Sequence, residues 1–431
     1  MWRAPSEPMA SARTGGAGLA LPIDKGLPGL GLLLDVTAVR DRLRRADHDI
    51  EGGSLFYLKY KPGTSCIAAY AFLRPGSGER AVYYGKSMGP QQFPLAHDKA
   101  SRHRWTEPTV GPAVHPWPEA RALLFAFPND ARLDGLRILA KPRKIRRLVS
   151  GPLPGLGSGE VKTALVRYKP ERRAVLRSAI GRAPFYWRVY ADGQGPDVFR
   201  RLTVLAAAGV KAPRPYAYDP DRQILAMEEL PGRPFEELLE TEPAVPAAAA
   251  AALALARLHA APGPGLAPRS AEDFLAAAVA TRRMLARLSP EAGEHAARIV
   301  RTLRRTAPVP TEATAFVHGD LHPAQLLVGS AGVALLDFDR SHLGSPCWDL
   351  GGFLAHLRLA RLEGRLHRED ALARAFLDAY AARCGRSAIE PVAWWTALAL
   401  LLLAPTPFRR LEADWPVRVR AILASAEERL C

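Results

Sequence analysis

A chain of 431 residues and 46.8 kDa is too long for one ordinary domain and suits two or three. With 48% hydrophobic and 24% charged residues it is globular, which excludes a disordered, collagen-like or small disulfide-stapled chain. The net charge of +16 raises a nucleic-acid or acidic-membrane partner, but 49 of the 59 basic residues are Arg and no Lys follows Lys211. The Arg is spread through Ala-rich helices, a compositional bias rather than a binding stripe, so nucleic acid is not expected as a partner. Even the densest cluster, Lys141 to Arg147 (KPRKIRR), reads as a solvated linker helix.

In chain order, residues 1–45 read as a flexible tail, richest in Gly, Pro, Ala and Ser over the first 30. The tail has no apolar core of the kind a secretory signal needs. A β-rich cap follows over 46–150, with strands at Leu55–Tyr60, Ser65–Leu73, Arg80–Lys86 and Ala122–Phe127 between Pro-Gly turns. Residues 150–159 (SGPLPGLGSG) read as a linker. The region 160–230 then echoes the cap. Leu58 to Pro62 (LKYKP) matches Val166 to Pro170 (VRYKP), Cys66–Leu73 matches Ala174–Ile180, and Ala81–Lys86 matches Pro184–Tyr190. In the fourth echo, Leu123 to Pro128 matches Ile224 to Glu229. Two copies make a duplicated antiparallel unit, not a solenoid.

From 231 to 431 the pattern is helical, at Pro246–Ala260, from Ser270, from Ser289, and at Glu369–Arg383, Pro391–Leu403 and Pro416–Leu430. Ser270 to Asp273 is a capping signal, and Ser289-Pro290-Glu291 starts a helix with Pro in its first turn. The charge-free stretch 391–408 holds two prolines and reads as a buried core helix, so no membrane span is expected. Cys66, Cys347, Cys384 and Cys431 form no C-x-x-C pair, which argues against a zinc site or disulfide framework and fits a reducing, cytoplasmic setting.

One exception interrupts the helices. Gln325–Val328 and Val333–Leu336 are apolar runs joined by Gly329 to Gly332, a β-hairpin flanked by polar residues. Asp320 and Gln325 precede its first strand and Asp337 follows its second, so two carboxylates and an amide oxygen converge at its open end. Hard oxygens on loops are what Mg²⁺ requires when it also holds phosphate oxygens. A further carboxylate can accept a hydroxyl proton. Together these are the parts needed for phosphoryl transfer.

The segments HGDLHPAQ (His318 to Gln325) and LLDFDR (Leu335 to Arg340) resemble the catalytic loop and metal motif of the aminoglycoside phosphotransferase and choline kinase superfamily. Met227 to Gly232 resembles its interlobe hinge, Leu255 to His259 the helix before the loop, and Trp348 to Leu350 the turn after the metal motif. The tail and cap, and a Gln at position 325, are similar to the maltokinase branch. The resemblance runs from about Val161 to the C-terminus. It implies an α+β, protein-kinase-like two-lobed fold, with a small antiparallel β lobe, a mostly helical lobe and an added β-rich cap.

It also implies ATP- and Mg²⁺-dependent phosphotransfer to a hydroxyl of a small molecule. Asp320 would be the catalytic base, Gln325 and Asp337 the metal ligands with Asp339 assisting, and His318 a scaffold residue. The backbone at Met227, Glu228 and Glu229 would take the adenine edge. Arg188 stands where the phosphate-anchoring Lys is usual. The following helix, 197–208, has no Glu to pair with it. Lys169 and Arg172 lie in a basic turn in place of a glycine-rich loop, and hold phosphates by charge in this reading. In the first copy the anchor position holds Lys86. His259 and His322 read as structural histidines, and Asp349 as a loop-bonding carboxylate. The helical insertion carries Arg282, Arg283, Arg301, Arg304 and Arg305, which disfavours a polycationic acceptor and favours a sugar-like or other neutral or anionic one. Arg188 and the missing Glu leave a second reading, a nucleotide-binding pseudokinase. The basic surface leaves a third, an anion- or nucleic-acid-binding protein.

Overall fold

The computed structural model describes residues 2–3, 24–108, 111–151, 159–263, 265–308, 314–410 and 412–430. Residues 152–158 of the linker and residues 1 and 4–23 of the tail lie outside these. The chain divides into two compact units, each α+β: Met1–Pro196 with Tyr216–Glu228 and Phe408–Trp415, and Asp197–Pro215 with Glu229–Pro407 and Pro416–Cys431.

The first unit holds two antiparallel sheets of the same design. After the short strand β1 (Trp2–Arg3) and helices α1 (Leu30–Leu34) and α2 (Val36–Arg45) come β2 (Gly53–Lys61), β3 (Ser65–Leu73), β4 (Arg80–Met88), helix α3 (Gln92–Arg102), β5 (Val114–Trp117) and β6 (Ala122–Ala126). Their sheet order is β2-β3-β4-β6-β5. Helices α4 (Gly135–Leu139) and α5 (Pro142–Val149) lead to β7 (Val161–Lys169), β8 (Arg173–Ile180), β9 (Ala183–Tyr190), helix α6 (Gly195–Ala207), β10 (Pro215–Asp219) and β11 (Ile224–Glu228). These strands order as β7-β8-β9-β11-β10, and β1 adds in parallel beside β7. The element sequence β-β-β-α-β-β therefore occurs twice.

The ladders fix the correspondence between the copies residue by residue. Tyr60 pairs with Cys66 and Tyr168 with Ala174. Lys86 sits between Ile67 and Leu123, and Arg188 sits between Val175 and Leu225. Lys86 and Arg188 thus hold the same lattice position. The fourth echo is one residue out of step in the sequence reading, because the ladders match Leu123 with Leu225, not with Ile224.

The cap and the small sheet, drawn as separate domains from the sequence, share one core. Ile67, Tyr84, Leu123 and Phe125 pack in the same cluster as Leu165, Tyr168, Leu176, Phe185 and Trp187. Residues 30–45, assigned to the flexible tail, instead form α1 and α2. Leu30, Leu33, Leu34, Val39 and Leu43 are buried there. Leu33 lies over Gly85, where a Cβ would come within 2.6 Å of its Cδ2, and its carbonyl accepts the Tyr70 hydroxyl at 2.5 Å. Pro28 and Gly29 precede α1 and Gly31 lies within it, Asp35 separates the two helices, and the leucines supply the buried face.

The second unit takes α6 from Asp197 and adds β12 (Arg233–Pro234), α7 (Ala244–His259), α8 (Ala271–Leu288), α9 (Pro290–Arg305), β13 (Ala315–Val317), β14 (Leu326–Gly329), β15 (Gly332–Leu335), β16 (His342–Gly344), α10 (Cys347–Leu362), α11 (Glu369–Cys384) and α12 (Val392–Leu403). The short α13 (Thr406–Arg409) precedes α14 (Trp415–Glu428). Ser270 and Asp273 close a capping box on α8, and Ser289 caps α9. The stretch around α12 is long and apolar enough to cross a membrane. In this fold Trp394, Trp395, Leu398, Leu400 and Leu401 of α12 are buried in the second unit, and the Trp394 indole donates to the Leu303 carbonyl at 3.0 Å. The expected hairpin is β14–β15, with Leu326 opposite Leu335.

Candidate active site

The loop 318–325 connects β13 to β14, and its backbone is held by a single buried carboxylate. Asp349, in the first turn of α10, accepts from the amides of His318 at 2.6 Å and Gly319 at 2.8 Å. His259 of α7 approaches the same carboxylate through Nε2 at 3.1 Å, and its Nδ1 meets the Tyr380 hydroxyl at 2.7 Å. Burial pushes the Asp349 carboxyl up. The hydrogen bond and charge of His259, with His318 and the Gly319 amide, outweigh that and bring it below its ordinary value. Asp349 and His259 are therefore structural, as read.

Gly319 follows with φ +84°, and a Cβ there would meet the Arg340 carbonyl at 2.2 Å, so only glycine fits. Its own carbonyl accepts from the Trp348 indole at 3.1 Å. His318 is fully buried, with Nε2 at 2.7 Å from the Leu336 carbonyl and Nδ1 at 3.3 Å from the Asp320 amide. That pattern places the ring proton on Nε2 and ties the loop to the strand leading to Asp337.

The hairpin brings its ends together. Gln325 Nε2 lies 3.2 Å from Asp337 Oδ2 and 3.2 Å from His322 Nε2. Asp337 is 6% exposed with φ +68°, a left-handed residue that turns the chain into the short 3₁₀ segment Phe338–Arg340. Asp339 sits within that segment, and its carbonyl, like that of Phe338, accepts from Arg201 of α6, at 3.3 and 3.1 Å. The helix without the expected Glu thus supports the backbone of Phe338 and Asp339 through Arg201.

Asp320 pairs with Arg340, Oδ1 to Nη1 at 3.2 Å. Burial favours its neutral form, but Arg340 and then His322 overcome this and hold the carboxyl below the usual carboxylate range. It is ionised at neutral pH, as a proton acceptor must be.

The remaining candidates lie in the first unit or at its boundary. Arg188 is 9% exposed on β9, Lys169 ends β7, and Arg172 is exposed in the β7–β8 turn. Met227 and Glu228 end β11, and the division between units falls between Glu228 and Glu229. Sequence reasoning missed Arg340 and Arg201. The signal available for Arg340 was its place three residues after Asp337.

These features define the class as a kinase-like phosphotransferase scaffold. The chain belongs to the phosphotransferase enzyme family, whose model matches residues 156–395, more than half of the chain. Its fold is similar to a putative aminoglycoside phosphotransferase from Ralstonia eutropha, with TM-score 0.51, 19% identity, and 67% of this chain and 96% of that one covered. It is also similar to choline kinase from Cryptosporidium parvum, with TM-score 0.50, 12% identity, and 66% and 92% covered. No curated protein sequence matches the chain. The comparisons do not single out the maltokinase branch.

Asp349→Asn puts an amide NH₂ against one of the two backbone amides. It should cost roughly 1.5–3 kcal/mol, read as a lower urea midpoint with the slope unchanged.

Proposed function

We propose that the protein transfers the γ-phosphate of ATP, with Mg²⁺, to a hydroxyl of a small, sugar-like or otherwise neutral or anionic molecule in the cytoplasm. The observation that carries this reading is the contact of Gln325 with Asp337 at 3.2 Å, on a rigid loop that also presents Asp320.

Asp337 and Gln325 fit Mg²⁺ by donor chemistry, a buried carboxylate and an amide whose half-turn exchanges NH₂ for oxygen. Asp339 would assist. Bound there, the ion would neutralise charge on the phosphate oxygens. Arg188, Lys169 and Arg172 supply the cations for those phosphates, and the Met227 to Glu229 backbone the groups for the adenine edge. Asp320 would accept the proton of the acceptor hydroxyl. The new O–P bond forms as the bond from the γ-phosphorus to the bridging oxygen breaks, and ADP leaves. The Arg side chains of α8 and α9 support the acceptor class. Arg283, Arg301, Arg304 and Arg305 are exposed and Arg282 is half-buried, a cationic surface that repels a polycation.

Asp320→Ala should lower turnover by about 100-fold or more while ATP still binds. Loss of ATP binding together with turnover would instead make Asp320 structural. Arg340→Leu removes the charge that favours the Asp320 carboxylate, so its pKa rises. The acidic limb of the kcat/KM profile should then shift to higher pH, and an unshifted limb would separate Arg340 from the base.

A further inference from the structure

The cap has the fold of a small lobe, with a lysine at the anchor position, yet that lysine is already engaged. Lys86 Nζ lies 2.5 Å from Oε2 of Glu171, whose side chain is only 8% exposed. Glu171 belongs to the other copy. It sits in the β7–β8 turn between Lys169 and Arg172, the residues assigned above to phosphate binding. Its φ is +54°, a conformation that costs a non-glycine residue about 1 kcal/mol and needs outside support.

That support comes from the cap. Asp130, after β6, is buried and accepts from the Glu171 amide at 2.9 Å and the Tyr168 hydroxyl at 2.7 Å through Oδ2. Its Oδ1 accepts from the amides of Arg132 at 2.8 Å and Leu133 at 3.1 Å. The turn is thus gripped at the Glu171 carboxylate by Lys86 and at its backbone by Asp130.

We propose that the cap is a brace for the phosphate-binding turn, with Lys86 and Asp130 as positioning residues that act through Glu171 to present Lys169 and Arg172 to the nucleotide. This rests on the nucleotide reading above and adds to it the purpose of the duplication. In the second copy the anchor position holds Arg188 for phosphate. In the first copy the same position holds Lys86, which neutralises Glu171 rather than a ligand. The chain therefore takes one nucleotide, not two.

Charge around the turn agrees. Lys59 of β2 has its pKa lowered by burial and by the nearby charges of Lys61, Arg172 and Lys86, while Glu171 opposes. Cap cations crowd the same turn as Arg172, with Glu171 as the anion that keeps them compatible. Removing Lys86 alone leaves the buried Glu171 carboxylate without its ion-pair partner and the turn held only at its backbone by Asp130.

The test uses the full chain, calorimetric titration with ATP and Mg²⁺, and turnover at saturating ATP. Lys86→Met should weaken ATP binding about tenfold while kcat stays within about twofold, the split expected of a residue that positions a binding element. Glu171→Gln, which keeps the shape and removes the charge, should do the same if Lys86→Met fails to fold. The exchange Lys86→Glu with Glu171→Lys should recover most of the affinity. The wild type should bind one ATP per chain. Wild-type affinity in a folded Lys86→Met or Glu171→Gln, no recovery in the exchange, or two ATP per chain would each overturn the brace while leaving the kinase reading intact. A wild type that binds no ATP overturns that reading, and the brace with it.

Discussion

A carboxylate with no exposed surface holds the loop on which the site is built. Asp349 takes two consecutive backbone amides, those of His318 and Gly319, and is balanced by His259. A buried charge is stable only with such partners, and once satisfied it resists any movement that would break them. The glycine that follows adopts a left-handed conformation against the Arg340 carbonyl. The loop therefore has one arrangement available. His318 carries that constraint across to Leu336, and so to Asp337 at the far end of the hairpin. Asp320, Gln325 and Asp337 owe their placement to this chain of contacts.

The same sheet design appears twice in the first unit, and at the anchor position the two copies differ in the shape of the cation rather than in its sign. At one ladder position Lys86 and Arg188 carry the same sign, but Lys86 meets a carboxylate from the other copy. A Lys ammonium is a compact point charge suited to a single carboxylate oxygen, whereas the Arg guanidinium is a planar fork suited to two acceptors. Arg at this position in the second copy thus keeps the charge and changes its shape.

Much of the second unit was legible because its signals are local. The hairpin follows from two apolar runs around Gly329 to Gly332, and the caps of α8 and α9 from Ser270 and Ser289. The polar residues around the hairpin converge because a hairpin's ends must. What was not legible depends on partners distant in sequence. Helices α1 and α2 were hidden by the Gly and Pro near Leu30, and their stability comes from packing, α1 on β3 and β4 and α2 on β2. The fourth echo slipped by one residue because a short apolar run matches in either register, and only the ladder chooses between Leu123 with Ile224 and Leu123 with Leu225. Arg340 and Arg201 act through long side chains that no spacing rule foretells, and the shared core of cap and small sheet cannot be read from either copy alone.

The central claim is that a γ-phosphate leaves ATP for a small-molecule hydroxyl. Phosphorus NMR of the full chain with ATP, Mg²⁺ and a panel of neutral and acidic sugars observes that transfer directly. The account predicts an ADP signal that grows only when an accepted sugar is present, matched by an equal phosphate-ester signal. ATP that stays intact with every acceptor, or that yields inorganic phosphate with no ester, would contradict it.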